Sequence, residues 1–109
     1  MGIKQLKDVT ELDELLGGEL VLLYKHSPGC WISAWSMRQV ERFAKGAPAI
    51  SVYLIDVVGQ RDLSGEIAER LGVQHASPQV ILLRQGRATW HASHFEITAG
   101  ALRSETAKP

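Results

Sequence analysis

Two strand-like runs constrain this chain most. Leu20-Val21-Leu22-Leu23-Tyr24-Lys25 is apolar almost throughout, and Ile50-Ser51-Val52-Tyr53-Leu54-Ile55-Asp56 is rich in β-branched and aromatic residues. Neither shows the strict alternation of a strand with one wet face, so both read as strands buried on two sides. From about Trp31 to Lys45, Met37, Val40, Phe43 and Ala44 recur three and four residues apart, which predicts a helix with one apolar face. Gly46 and Pro48 close it. A strand, helix, strand order of this kind returns as a right-handed parallel crossover.

The flanking segments extend the pattern. Before the first strand, Thr10 is the expected N-cap of a helix carrying Leu12, Leu15 and Leu16, ended by Gly17-Gly18. After the second strand, Leu63, Ile67 and Leu71 mark a further helix. Gln79 to Leu83, then Gln85-Gly86 and Ala88 to His91, read as a β-hairpin. Thr98 is placed to cap a last helix through Leu102, with 104–109 expected as a frayed tail. The order is helix, βαβ, helix, ββα. It predicts an α/β, thioredoxin-like fold, a central mixed sheet flanked by helices, with residues 1–109 forming one domain.

Charge narrows the function classes. Twelve basic residues offset twelve acidic ones, and no Lys/Arg cluster suggests a phosphate-tracking surface, so nucleic acid is not an expected partner. The N-terminus carries no apolar segment of signal length, and no run is long enough to cross a membrane. The chain is expected to be cytoplasmic, where thiols stay reduced.

Against that background the single cysteine, Cys30, stands out. It follows the turn His26-Ser27-Pro28-Gly29 and opens the central helix, where first-turn N–H groups and the helix dipole favour thiolate over thiol. Ser33 occupies the place of a second cysteine, a C-x-x-S pattern. The plain alternative for a lone cysteine is a small buried hydrophobe. His26, His75, His91 and His94 suggest a Cys–His hydrolase, yet spacing selects none of them as a base, and His91 and His94 suggest a metal site for which no ligand set is complete. No metal is expected.

Lys25-His26-Ser27-Pro28-Gly29-Cys30-Trp31-Ile32-Ser33, Ser77-Pro78-Gln79 and Ser93-His94-Phe95-Glu96-Ile97-Thr98 together resemble the YtxJ-type monothiol bacilliredoxins of the bacillithiol system, over nearly the whole chain. The resemblance implies a thioredoxin-like monothiol oxidoreductase with Cys30 as nucleophile. It has no bound cofactor and takes bacillithiol, or an equivalent low-molecular-weight thiol, as co-substrate. The implied partners are S-thiolated client proteins and the reductase system of that thiol.

The same resemblance implies a cis Ser77-Pro78 bond facing the cysteine, with Ser77 offering backbone groups to the bound disulfide. Ser33 cannot form an S–S bond; it is expected either to donate a hydrogen bond to the Cys30 sulfur or to serve a backbone group as a first-turn serine. Lys25 is a candidate for placing a positive charge near the thiolate or binding a thiol carboxylate, with Gln79 a similar case. Trp31, standing where the family pattern Cys-Pro-Ile-Ser has proline, is a candidate client platform, whereas Trp35 is expected in the core. Two other readings stay open: a non-enzymatic thioredoxin-like module that holds peptides, and iron–sulfur carriage, which the absence of Cys-Gly-Phe-Ser disfavours.

Overall fold

Strand β2 (Leu20–His26) lies at the centre of a five-stranded sheet. The structure, a computed structural model, describes residues 2–109. The other elements in chain order are β1 (Ile3–Gln5), α1 (Val9–Leu16), α2 (Trp31–Gly46), β3 (Ser51–Asp56), α3 (Arg61–Leu71), β4 (Gln79–Arg84), β5 (Arg87–Ser93) and α4 (Ala99–Thr106). A short 3-10 turn, His94–Glu96, joins β5 to α4.

The strand order is β1-β3-β2-β4-β5. β1 and β2 run parallel to β3, whereas β4 runs antiparallel to β2 and β5 antiparallel to β4. The sheet is therefore mixed. The carboxyl ends of β2, β3 and β5 share one edge with the start of β4, which the pairings His26 with Asp56, Lys25 with Gln79, and Gln79 with Ser93 confirm.

Successive side chains of a strand point to opposite faces. Leu22 and Tyr24 join Val40, Phe43, Val80, Ile97 and Leu102 in a core beneath α2 and α4. Val21 and Leu23 join Leu6, Leu12, Ile55, Leu63 and Ile67 beneath α1 and α3. Burial on both faces is the reason the β2 run is unbroken by polar residues.

Three local expectations are corrected. The N-cap of α1 is Asp8, not Thr10: the Asp8 carboxylate accepts the Glu11 N–H at 2.9 Å, while Glu11 accepts the Lys7 N–H at 2.8 Å. Asp8 has a glutamate three residues on, a pairing that ties both sides of the helix start and so outcompetes Thr10. β1 was not expected. Its three residues, Ile-Lys-Gln, carry no strand pattern, and tertiary pairing with β3 alone makes them one. Finally, α4 continues through Thr106 instead of fraying at Ser104. Arg84 on β4 donates to the Glu105 carbonyl at 2.9 Å, satisfying a helix end that its own sequence leaves open.

Candidate functional site

Ser27-Pro28-Gly29-Cys30 is a tight turn, closed by the Cys30 N–H on the Ser27 carbonyl at 3.3 Å. Gly29 has φ +81, a left-handed value that suits the third position of a type II turn following proline. The turn converts the end of β2 directly into the start of α2 and leaves Cys30 as the N-cap residue, partly exposed at the carboxyl edge of the sheet.

Cys30 supplies no side-chain cap of its own. The first-turn N–H groups, open at the helix start, instead favour its thiolate. The backbone N–H groups of Ser33 and Ile32 are the main influences holding the Cys30 thiol below its ordinary pKa, opposed by slight desolvation and assisted by the Ser33 hydroxyl. Ser33 is fully buried, and its Oγ accepts the Ser27 N–H at 3.1 Å. The backbone role considered for Ser33 is met, since its side chain pins the turn.

The Ser77–Pro78 peptide bond is cis and lies at the same edge, immediately before β4. The Pro78 carbonyl accepts the His94 N–H at 3.1 Å, which ties this loop to the end of β5. The Ser77 Oγ is buried and has no hydrogen-bond partner within the fold.

The same edge gathers apolar surface. Among the described residues, three large apolar side chains are exposed: Trp31 at 70%, Val58 at 63% and Phe95 at 53%. Each follows a strand whose carboxyl end lies here: Trp31 follows β2, Val58 follows β3 and Phe95 follows β5. Phe95 stands 5.8 Å from Trp31 and 5.3 Å from Trp35, ring centre to ring centre. Trp35 thus belongs to the rim of this aromatic group and is only half-buried, rather than being core packing.

Two expected site residues are elsewhere. Lys25 alternates onto the α1/α3 face, where its fully buried Nζ donates to the Ser64 carbonyl at 3.0 Å and pairs with His75 Nδ1 at 3.1 Å. Burial lowers its pKa to about 8. It neither borders the thiolate nor meets solvent. Gln79, its neighbour across β2 and β4, is buried as well, with Nε2 donating to the Gln74 carbonyl at 3.0 Å. Its side chain supports the cis-proline loop from within.

Sequence reasoning missed Tyr24 and His26 as a pair. The Tyr24 hydroxyl lies 3.0 Å from His26 Nδ1, 2.7 Å from Ser36 Oγ and 3.0 Å from the Ser33 carbonyl. The period-two alternation of a strand was the available signal, since it puts residues 24 and 26 together and residue 25 opposite.

A family model described as "Monothiol bacilliredoxin BrxC" matches residues 2–102. Among solved structures, one described by its thioredoxin fold and a provisional oxidoreductase role is 28% identical with a TM-score of 0.89, covering 95% of this chain and 93% of that one. Thioredoxins of Fasciola hepatica and Trypanosoma brucei brucei share the fold at lower identity. The first is 22% identical with a TM-score of 0.70, covering 96% and 95% of the two chains. The second is 19% identical with a TM-score of 0.77, covering 96% and 88%. No helix among the described residues is long and apolar enough to cross a membrane.

Proposed function

The chain belongs to the monothiol bacilliredoxin family, and on that premise we propose that it removes bacillithiol, or a related low-molecular-weight thiol, from mixed disulfides on proteins. The observation that carries the reading is the placement of its single thiol. Cys30 sits partly exposed at a helix N-terminus whose N–H groups favour the thiolate, at the sheet edge that also holds the cis-proline loop.

The chemistry follows from one sulfur. The Cys30 thiolate attacks the bacillithiol sulfur of the mixed disulfide, the old S–S bond breaks, and the client leaves as a thiolate that takes a proton from solvent. Cys30 then carries bacillithiol as a disulfide. Ser33 has no sulfur to resolve it, so a second low-molecular-weight thiol attacks and departs as the oxidised dimer, to be reduced by its own reductase system. The first-turn N–H groups that favour the Cys30 thiolate also make it a good leaving group in this second step.

S-thiolated protein clients dock on the apolar surface around the sulfur. Trp31 and Phe95 supply it, and tryptophan is among the residues most enriched at interfaces. The setting we infer is the cytoplasm, where a reduced thiol pool keeps Cys30 free.

The test uses a protein client bearing one bacillithiol mixed disulfide. The wild-type chain is expected to release the client thiol and gain the mass of one bacillithiol on Cys30, whereas Cys30→Ser should remain folded and do neither. Client release by Cys30→Ser at the wild-type rate would sink the mechanism.

A further inference from the structure

Beneath Cys30 lies a buried hydrogen-bond chain that the exchange mechanism does not itself require. Tyr24 is fully buried on the α2 face of β2. Its hydroxyl contacts His26 Nδ1 at 3.0 Å, Ser36 Oγ at 2.7 Å and the Ser33 carbonyl at 3.0 Å; Ser36 Oγ also donates to the Ser33 carbonyl at 3.0 Å.

Counting protons ties the direction of this chain to the His26 tautomer. Four contacts share only two hydroxyl protons, one on Tyr24 and one on Ser36, and the carbonyl can only accept. Three of the contacts become hydrogen bonds together only if a third proton enters, and His26 Nδ1 is the one group able to supply it. If Nδ1 accepts instead, the Tyr24 proton goes to His26 and the single Ser36 proton serves either Tyr24 or the Ser33 carbonyl. With the imidazole proton on Nδ1, the chain runs from His26 through Tyr24 and Ser36 to the Ser33 carbonyl.

We propose that Tyr24 is a positioning residue for the Cys30 thiolate: supplied by His26 Nδ1–H, its hydroxyl holds the Ser33 end of the first turn of α2 so that the turn's N–H groups stay on the sulfur. The Ser33 N–H is the foremost of those groups, so a hold on Ser33 is a hold on the thiolate. Electrostatics agrees with the geometry, since the charge on Cys30 acts on the Tyr24 hydroxyl and helps keep it protonated. The other charged groups facing the chain are Glu41 on α2, which acts on Tyr24, and Asp56 on β3, which acts on His26. The proposal rests on the reading of Cys30 as the nucleophile.

The experiment measures alkylation of Cys30 by iodoacetamide from acid to mildly alkaline pH, which needs no client. Tyr24→Phe, which keeps the ring, is expected to move the thiolate midpoint upward and slow alkylation about threefold at a pH below both midpoints, with the alkaline plateau rate unchanged. Ser36→Ala should act in the same direction and reads the same grip on Ser33 if Tyr24→Phe fails to fold. Nitrogen NMR of the wild-type imidazole should show neutral His26 protonated at Nδ1. Unchanged midpoints in the folded variants, or a neutral His26 protonated at Nε2, would overturn the proposal while a low wild-type midpoint left Cys30 as nucleophile. An ordinary wild-type midpoint would overturn both.

Discussion

In the proposed function, Cys30 carries the chemistry and Trp31 the recognition. Thiolate stabilisation comes from backbone N–H groups of Ile32 and Ser33, which any residue at position 31 leaves in place. Trp31 adds exposed ring surface, packed 5.8 Å from Phe95. Trp31→Pro is therefore expected to preserve exchange with small thiol disulfides, because proline suits the first helical position. Turnover of a protein client should weaken by about 1 kcal/mol or more in transition-state stabilisation, the scale of a lost aromatic anchor. Rates on both substrates decide the matter, and equal effects on the two would mean that the ring does not recognise clients. At this scale the sequence was legible where chemistry sets the residue and illegible where the face does. Cys30 at the helix start, Ser33 bonded to the turn and the cis bond before Pro78 were all placed by residue type and position. Lys25 and Gln79 looked available because a polar side chain at a strand end usually reaches water, yet here both turn inward beneath the loop 74–79.

Between elements, the tight connections set what the sheet edge presents. The hairpin joining β4 to β5 turns at Gln85-Gly86, with φ +51 and +80, the pair of positive values that a two-residue type I′ turn requires. Gly86 also passes close to α1: a Cβ there would stand 2.5 Å from the Leu16 carbonyl oxygen. Gly86→Ala combines backbone strain with a collision against main chain, so a loss of about 1–3 kcal/mol is expected in urea denaturation. Wild-type stability in that variant would show that the turn shifts freely, which its pairing on both sides opposes. The hairpin was readable from Gln-Gly between apolar runs, as were β2, β3 and α2 from their lengths and periods. Contacts remote in sequence were not. The last turn of α4 depends on Arg84 of another element, β1 exists through β3, and the 3-10 turn after β5 is held by the Ser93 and Glu96 capping pair beside an N–H bond to Pro78.

Across the whole molecule, β2 carries two titratable groups into the two cores, and they oppose each other in alkaline solution. Lys25, on the α1/α3 face, has its pKa lowered from 10.5 to about 8 by burial. Between those values the unfolded chain holds a proton that the fold has released, so stability rises with pH. Tyr24, on the α2/α4 face, has its pKa raised from 10.0 to about 12, chiefly by burial. Above pH 10.0 the unfolded chain has lost a proton that the fold keeps, so stability falls. The two signs together predict a stability maximum near pH 10.0, well above the neutral range where most proteins are steadiest. The measurement is urea unfolding from neutral to strongly alkaline pH in the Cys30→Ser background, because the depressed thiol pKa would itself add to the rise. Lys25→Met should flatten the rising limb, since methionine fills much of the same volume without a charge to desolvate. Tyr24→Phe should remove the falling limb and leave the rise intact. A steady decline from neutral pH in the parent would show that Lys25 keeps its ordinary pKa and finds water, against its complete burial in the centre of the sheet.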